Sequence, residues 1–147
     1  MKISTKGRYG LRILLDIAIY GTRDKPRMMR DIAKSQKISQ KYISRLVIAL
    51  RKAGFISSIR GSAGGFILAK SPEKITLLNI LEAMEGPIGL LDCLTSDSVC
   101  DRSKNCPSRT LWTAVNQSVR KVFAHYTLKD LLDIHTAANI VSIEYCI

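Results

Sequence analysis

Cys93, Cys100 and Cys106 fall in one polar stretch, CLTSDSVCDRSKNC, with the spacing C-x6-C-x5-C. That spacing differs from the paired C-x2-C of most structural zinc sites. Thiolates are soft donors suited to iron-sulfur clusters, which usually take four protein ligands. Two of three neighbouring thiols can also join as a disulfide on oxidation, which makes a redox switch. A third reading is surface cysteines with no sensing role. Cys106 stands directly before Pro107, at the expected start of a helix, where the dipole lowers a thiol pKa and favours an anionic group.

Elements around this stretch must position it and use it. The 147 residues amount to about one domain, enough to bury a core without disulfide staples. Near the start, LRILLDIAIYG is broken by Arg12 and Asp16 and has no small-residue cleavage site, so neither a signal peptide nor a membrane span fits. A cytoplasmic protein with no membrane partner is expected. In that reducing compartment, cysteines more often serve metals or redox chemistry than structural disulfides.

Charge is unevenly spread. The chain carries a net +11, which points to an anionic partner. Residues 1–74 hold nine Lys and eight Arg against four acids, net +13, whereas residues 75–147 hold three Lys and three Arg against eight acids, net −2. A basic surface serves solubility when evenly spread. Concentrated in one half, it favours nucleic acid there.

The pattern of residues 5–20 predicts a helix with apolar positions Leu11, Leu14, Leu15, Ala18 and Ile19, an N-cap at Ser4 or Thr5 and a stop at Gly21. A short helix from Met28, MMRDIAKSQ, and a longer one, SQKYISRLVIALRKAG, capped by Ser39 and ended by Gly54, follow. Ile43, Leu46, Val47 and Leu50 bury one face of the longer helix, which leaves Gln40, Lys41, Ser44, Arg45 and Arg51 outward. The pair reads as a helix-turn-helix or as an ordinary helical hairpin. FISSI and FILA flank RGSAGG as a β-hairpin, which makes a winged helix. The glycine loop lacks the Lys-Ser/Thr ending and following helix of a phosphate cradle. Its glycines instead permit positive φ and close approach to a DNA backbone, with Arg60 at the wing's edge able to enter a narrow minor groove.

ITLLNILEAMEG predicts a further helix with Ile75, Leu78, Leu81 and Met84 on one face. PSRTLWTAVNQSVRKVFAHY begins a long helix with Pro107 in its first turn and a broad stripe of Leu111, Trp112, Val115, Val119, Val122 and Phe123. Either the chain's own core or a symmetric dimer must cover that stripe. The tail reads as a short helix followed by β-prone residues. The expected fold is mainly α with a small β-hairpin wing: a winged-helix DNA-binding region over residues 1–74, then a sensor loop at about 88–106 and dimerisation helices within 75–147. An enzyme is not expected, because the chain has no HExxH, no GxSxG and no framed pair of carboxylates.

MKISTKGRYGLR, IAKSQKISQKYISRLVIALRKAGFISSIRGSAGGFILAK and LEAMEGPI resemble a bacterial winged-helix regulator family. Its members include the iron-sulfur regulator IscR, the nitric oxide sensor NsrR and the cysteine-metabolism repressor CymR. The resemblance implies a homodimer crossed through the long C-terminal helix, two winged helices on palindromic double-stranded DNA, and repression or activation of nearby promoters. It places base contacts at Gln40, Lys41, Tyr42 and Ser44 and at the wing arginine Arg60. IscR-like members carry glutamate where this chain has Ser44, so their operator preference does not carry over to this chain. From chemistry alone, Gln40 and Lys41 suit adenine or guanine edges, Arg8, Arg45 and Lys52 suit phosphates, and Tyr42 suits either DNA or the edge of the core.

The resemblance further implies a 2Fe-2S or 4Fe-4S iron-sulfur cluster on Cys93, Cys100 and Cys106. IscR-like members add a histidine three residues after the third cysteine, where this chain has Arg109. NsrR-like members recruit a carboxylate from the start of the partner's first helix, where this chain has Arg8. The fourth ligand is therefore open among Asp92, Asp97, Asp101, another carboxylate, a small thiol or water, His125 and Cys146. The alternative is a CymR-like regulator without a cluster, controlled by a metabolic-enzyme partner.

Overall fold

The computed structural model describes residues 3–96, 100–102 and 105–144, with side chains described as far as residue 138. Asp97 and Cys146 lie outside these residues. Six helices and one hairpin follow in order: α1 (Thr5–Tyr20), α2 (Met29–Gln36), α3 (Gln40–Lys52), β1 (Ile56–Ile59), β2 (Gly65–Leu68), α4 (Leu77–Glu85), α5 (Pro107–His125) and α6 (Leu128–Glu144). Among the described residues, no helix is long and apolar enough to cross a membrane.

The ends of these helices follow from their caps. Ser4 Oγ accepts from the Lys6 and Gly7 amides, Ser39 Oγ from that of Tyr42, and Thr76 and Asn79 form a reciprocal capping box at α4. Gly54, at φ +72°, turns the chain out of α3 and into β1. The core is built mainly from Ile13, Leu14 and Ile17 of α1, the four α3 residues Ile43, Leu46, Val47 and Leu50, and Ile32, Phe55, Ile75, Ile80, Met84 and Leu128. Each such side chain contributes roughly 1.5–3 kcal/mol by leaving water.

The buried stripe of α1 is rotated from the expected one. Ile13, Leu14 and Ile17 form its centre, while Leu11, Leu15 and Ala18 flank it, because Gly7 and Gly10 let α4 approach on that side. In the fourth helical segment, Ile75 is buried but precedes the helix, and the buried face is Ile80, Leu81 and Met84, with Leu78 only half-buried. The tail settles a placement that the sequence left open. Its β-prone residues continue α6 to Glu144. A Thr127–Asp130 cap, in which each side chain accepts from the other's amide, starts this helix, and a well-nucleated helix overrides modest strand propensity.

The hairpin pairs Ile56 with Leu68 and Ile59 with Gly65. Arg27 extends it as a one-residue third strand, exchanging both backbone hydrogen bonds with Phe66 at 2.9 Å. This approach requires Gly65, since a Cβ there would lie 2.5 Å from the Arg27 carbonyl oxygen. Arg27 also donates from Nε to Oδ1 of Asp16 at 2.6 Å, and Gln36 and Ser35 donate to Asp16 Oδ2. One buried carboxylate thereby ties α1, α2 and the hairpin together. A second tie lies within the C-terminal half and joins the start of α4 to the start of α6: Leu77 N–H donates to Tyr126 O and Leu128 N–H to Ile75 O, both at 2.8 Å.

Candidate nucleic-acid interface and cysteine loop

With its apolar face in the core, α3 turns Gln40, Lys41, Arg45, Arg51 and Lys52 to solvent. Ser39, Lys41, Tyr42 and Arg45 surround a shallow depression of about 250 Å³ at the start of the helix, so the structure brings the predicted contacts Lys41, Tyr42 and Arg45 together beside the capping Ser39. Ser44 is half-buried and its hydroxyl donates to the Lys41 carbonyl at 2.8 Å, which leaves its oxygen free as an acceptor. Tyr42 is half-buried with its ring edge-on to Tyr9 at 6.0 Å. Arg12 lies over the Tyr9 ring and donates to the Gln36 carbonyl at 2.7 Å, fixing α2 against α1.

Arg60 is exposed where β1 leaves the sheet, and Gly61 beside it takes φ +118°. Arg8 is exposed on α1. Between α3 and the hairpin runs an apolar groove of about 370 Å³, lined by Met29, Val47, Ile48, Arg51, Ile59 and Phe66 among others. Ile48 was not among the sequence-predicted contacts, yet it lies on the same face as Lys41 and Arg45 and is 58% exposed. Its spacing, seven residues after Lys41 and three after Arg45, was the available signal.

Cys93 sits in a 3-10 turn, Asp92–Leu94, and Cys106 is the N-cap residue of α5. With Cys100, both are half-buried free thiols. Arg109 donates to the Cys93 carbonyl oxygen at 3.2 Å, joining the two ends of the loop. Cys106 Sγ lies 3.2 Å from Ser108 Oγ, and its pKa is lowered, first by that hydroxyl and then by the Arg109 backbone N–H. Leu90 N–H donates to Asn116 Oδ1 at 3.0 Å, and Arg120 bridges Glu82 and the Ile88 carbonyl at 2.7 and 3.0 Å. These bonds fasten the approach to the loop onto α5 and α4.

The test of a cluster site is whether the thiols converge. Among the described residues, no three Cys, His, Asp or Glu side chains are gathered to hold a metal. As placed, the donors do not form a cluster cage. His125 closes the other end of α5, nineteen residues from Cys106, roughly 28 Å along a helix, and packs edge-on to Tyr126. His135 lies on α6 beside Arg12 and Asp16. Asp92 and Asp101 are exposed in the loop.

The stripe of α5 is largely uncovered, with only Val119 and Phe123 half-buried. No α5 residue is buried; Leu111 is 62% exposed, Val122 53%, and Trp112 and Val115 are exposed as well. The chain's own core does not cover this face.

Comparison with known proteins matches residues 3–134 to the Rrf2 family, described as an iron-dependent transcriptional regulator. The Rrf2 protein of Nitratidesulfovibrio vulgaris is 38% identical over 132 residues, covering 90% of this chain and 87% of its own. HTH-type transcriptional regulator CymR of Bacillus subtilis is also 38% identical over 132 residues, covering 89% of each. The solved structure of B. subtilis CymR, titled the global cysteine regulator, superposes with a TM-score of 0.78 at 36% identity, covering 91% of this chain and 98% of that one. T. potens IscR superposes at 0.75 and 31% identity, covering 94% and 90%. With a family match across most of the sequence, winged-helix relatives of nearly the same length and a basic helix-turn-helix face, the chain belongs to the Rrf2 family of DNA-binding transcriptional regulators.

Proposed function

We propose that the protein is a homodimeric regulator that reads a palindromic operator, with the cysteine loop as its input. The observation that carries this is the solvent face of α3, where Gln40, Lys41 and Arg45 project from a helix whose opposite face is wholly in the core. Such a helix enters a major groove with its first turns against the bases, while Arg8, Lys52 and the wing's Arg60 meet the backbone or minor groove. The uncovered α5 stripe supports dimerisation, since two half-sites about one DNA turn apart need two readers held at fixed separation.

Gating is assigned to the thiol state of Cys93, Cys100 and Cys106. Two thiols give up two electrons and two protons to a peroxide or disulfide oxidant and join as a disulfide. Cys106 caps α5 and Arg109 ties that helix to Cys93, so closing a bond in this loop moves the start of the dimer helix and with it the spacing of the α3 pair. Coupling between such a site and DNA typically amounts to about 1–3 kcal/mol. A 2Fe-2S or 4Fe-4S cluster would draw on the same thiolates, but only after the loop had rearranged to gather them with a fourth donor. Iron and sulfide counting on anaerobically purified protein, beside thiol titration before and after peroxide, separates the two inputs. The thiol reading expects colourless protein that loses two thiols on oxidation and changes operator affinity by about tenfold. Equal affinity for every operator in all states, at matched salt, would remove any input role from the loop.

A further inference from the structure

We propose that Ile48 is a specificity residue that reads a thymine 5-methyl group in the major groove. The assignment rests on α3 being the groove-entering helix. Lys41, Ser44, Arg45, Ile48, Arg51 and Lys52 recur at helical spacing along one face, and within this polar, cationic run Ile48 alone is branched and apolar. It is 58% exposed although the helix offers a packed face opposite, where Leu46 and Leu50 are buried.

Isolated exposed apolar residues are common, but Ile48 is not isolated. It borders the groove between α3 and the hairpin, together with Val47, Met29, Ile59 and Phe66. The cations Arg45 and Arg51 stand one turn to either side. A partner that fills this position must therefore offer a small apolar group within a dense array of negative charge. An apolar protein surface would leave both guanidinium groups without compensation. Double-stranded DNA supplies both features at once, because thymine presents its methyl in the major groove between two phosphate backbones. Ile48 lies one turn beyond Arg45, so the thymine it reads lies further along the half-site than the bases met by Gln40 and Lys41.

The test starts from duplexes selected from a random pool by the purified protein. Each thymine is replaced in turn by deoxyuridine, which deletes only the methyl. One thymine per half-site should show about fourfold weaker binding on replacement, the effect of a single buried methyl. Ile48→Ala should bind the thymine duplex about fourfold more weakly and should bind the thymine and uracil duplexes alike. Ile48→Val, which keeps the branched apolar end, should retain the preference. Thermal melting of each variant checks that the exposed substitution leaves folding intact. Equal wild-type binding to every uracil duplex would overturn the assignment, as would an unchanged thymine preference in Ile48→Ala. If Lys41→Ala and Arg45→Ala also bound the selected duplexes like wild type, the operator-reading role of α3 would fall, and this assignment with it.

Discussion

The two halves of this chain are finished to different degrees. In the helix-turn-helix and hairpin, a buried carboxylate meets three donors, α1, α2, α3 and β1 share one core, and the charge of residues 1–74 is net +13. Among the described residues, no buried side-chain nitrogen or oxygen lacks a partner. Past the fourth helix the balance reverses. No α5 residue is fully buried, Leu111, Trp112, Val115 and Val122 of its stripe face water, and three half-buried thiols lie in a loop tied by the Leu90–Asn116 and Arg109–Cys93 hydrogen bonds. A reader of DNA benefits from being preorganised, because ordering it on binding would subtract from affinity. Under the proposed function the cysteine loop is an input and α5 a dimer contact, and both must stay incomplete until something arrives.

The largest effect should come from breaking the finished half. Replacing Asp16 by Ala leaves the Arg27 guanidinium facing the core without its carboxylate, and removing one partner of a buried pair costs about 3–5 kcal/mol. Urea unfolding at neutral pH should show that loss, and the hairpin should lose its tie to α1. Burial by itself raises the Asp16 pKa, but the hydrogen bonds from Arg27, Ser35 and Gln36 and the charge of Arg27 outweigh it and hold it below the ordinary 3.8. A depressed carboxylate pKa stabilises the fold fully above the unfolded value. That contribution is lost as pH falls below about 4 toward the folded pKa. Asp16→Asn should flatten the acid limb of the stability profile.

The unfinished half predicts the next effect. Leu111→Glu places a charge on the exposed α5 stripe without touching the core. Dimer dissociation should strengthen by at least about thirtyfold, equivalent to about 2 kcal/mol at an interface anchor, with unfolding of the monomer nearly unchanged. Sedimentation equilibrium measures the first quantity and urea the second. A variant that remained dimeric with wild-type affinity would mean that another surface holds the dimer.

How much of this could be read from the sequence depends on distance along the chain. The first three helices and the hairpin were legible because amphipathic spacing and caps are local: Ser4, Ser39 and Gly21 act within a few residues of themselves. The role of Asp16 was hidden, since its partners lie 11 to 20 residues away and a lone aspartate in an apolar stripe reads as an interruption. The helical tail was hidden for a related reason, because the Thr127–Asp130 cap that starts α6 lies well before the β-prone residues it carries into helix. For the cysteines, spacing raised cluster or thiol chemistry as an expectation, but convergence is a property of three dimensions, and among the described residues the loop does not supply it.

On the DNA face, Arg45→Ala should weaken operator binding by about tenfold with little change in base preference. It should also lower the slope of log affinity against log salt by about one per subunit. Titrations at several salt concentrations check both. A loss confined to particular base pairs would instead make Arg45 a base contact, and would move the division between positioning and reading further along α3.

The smallest effect isolates the chemistry of the loop. Cys106 has a lowered pKa chiefly because the Ser108 hydroxyl can donate to its sulfur, with the Arg109 backbone N–H adding to it at the start of α5. A lowered thiol pKa raises the thiolate fraction near neutral pH, and the thiolate is the reactive form. Ser108→Ala removes the larger of these contributions and leaves the helix start and Pro107 in place. Iodoacetamide labelling of Cys106 at pH 7.5, followed by peptide mass spectrometry, should therefore slow by roughly two- to fivefold. The pH midpoint of labelling should move upward, and operator affinity of the reduced protein should stay constant because Ser108 is not among the residues proposed to meet DNA. An unchanged midpoint would assign the tuning to the helix start alone, and the loop would then owe its reactivity to the position of Cys106 rather than to its neighbour.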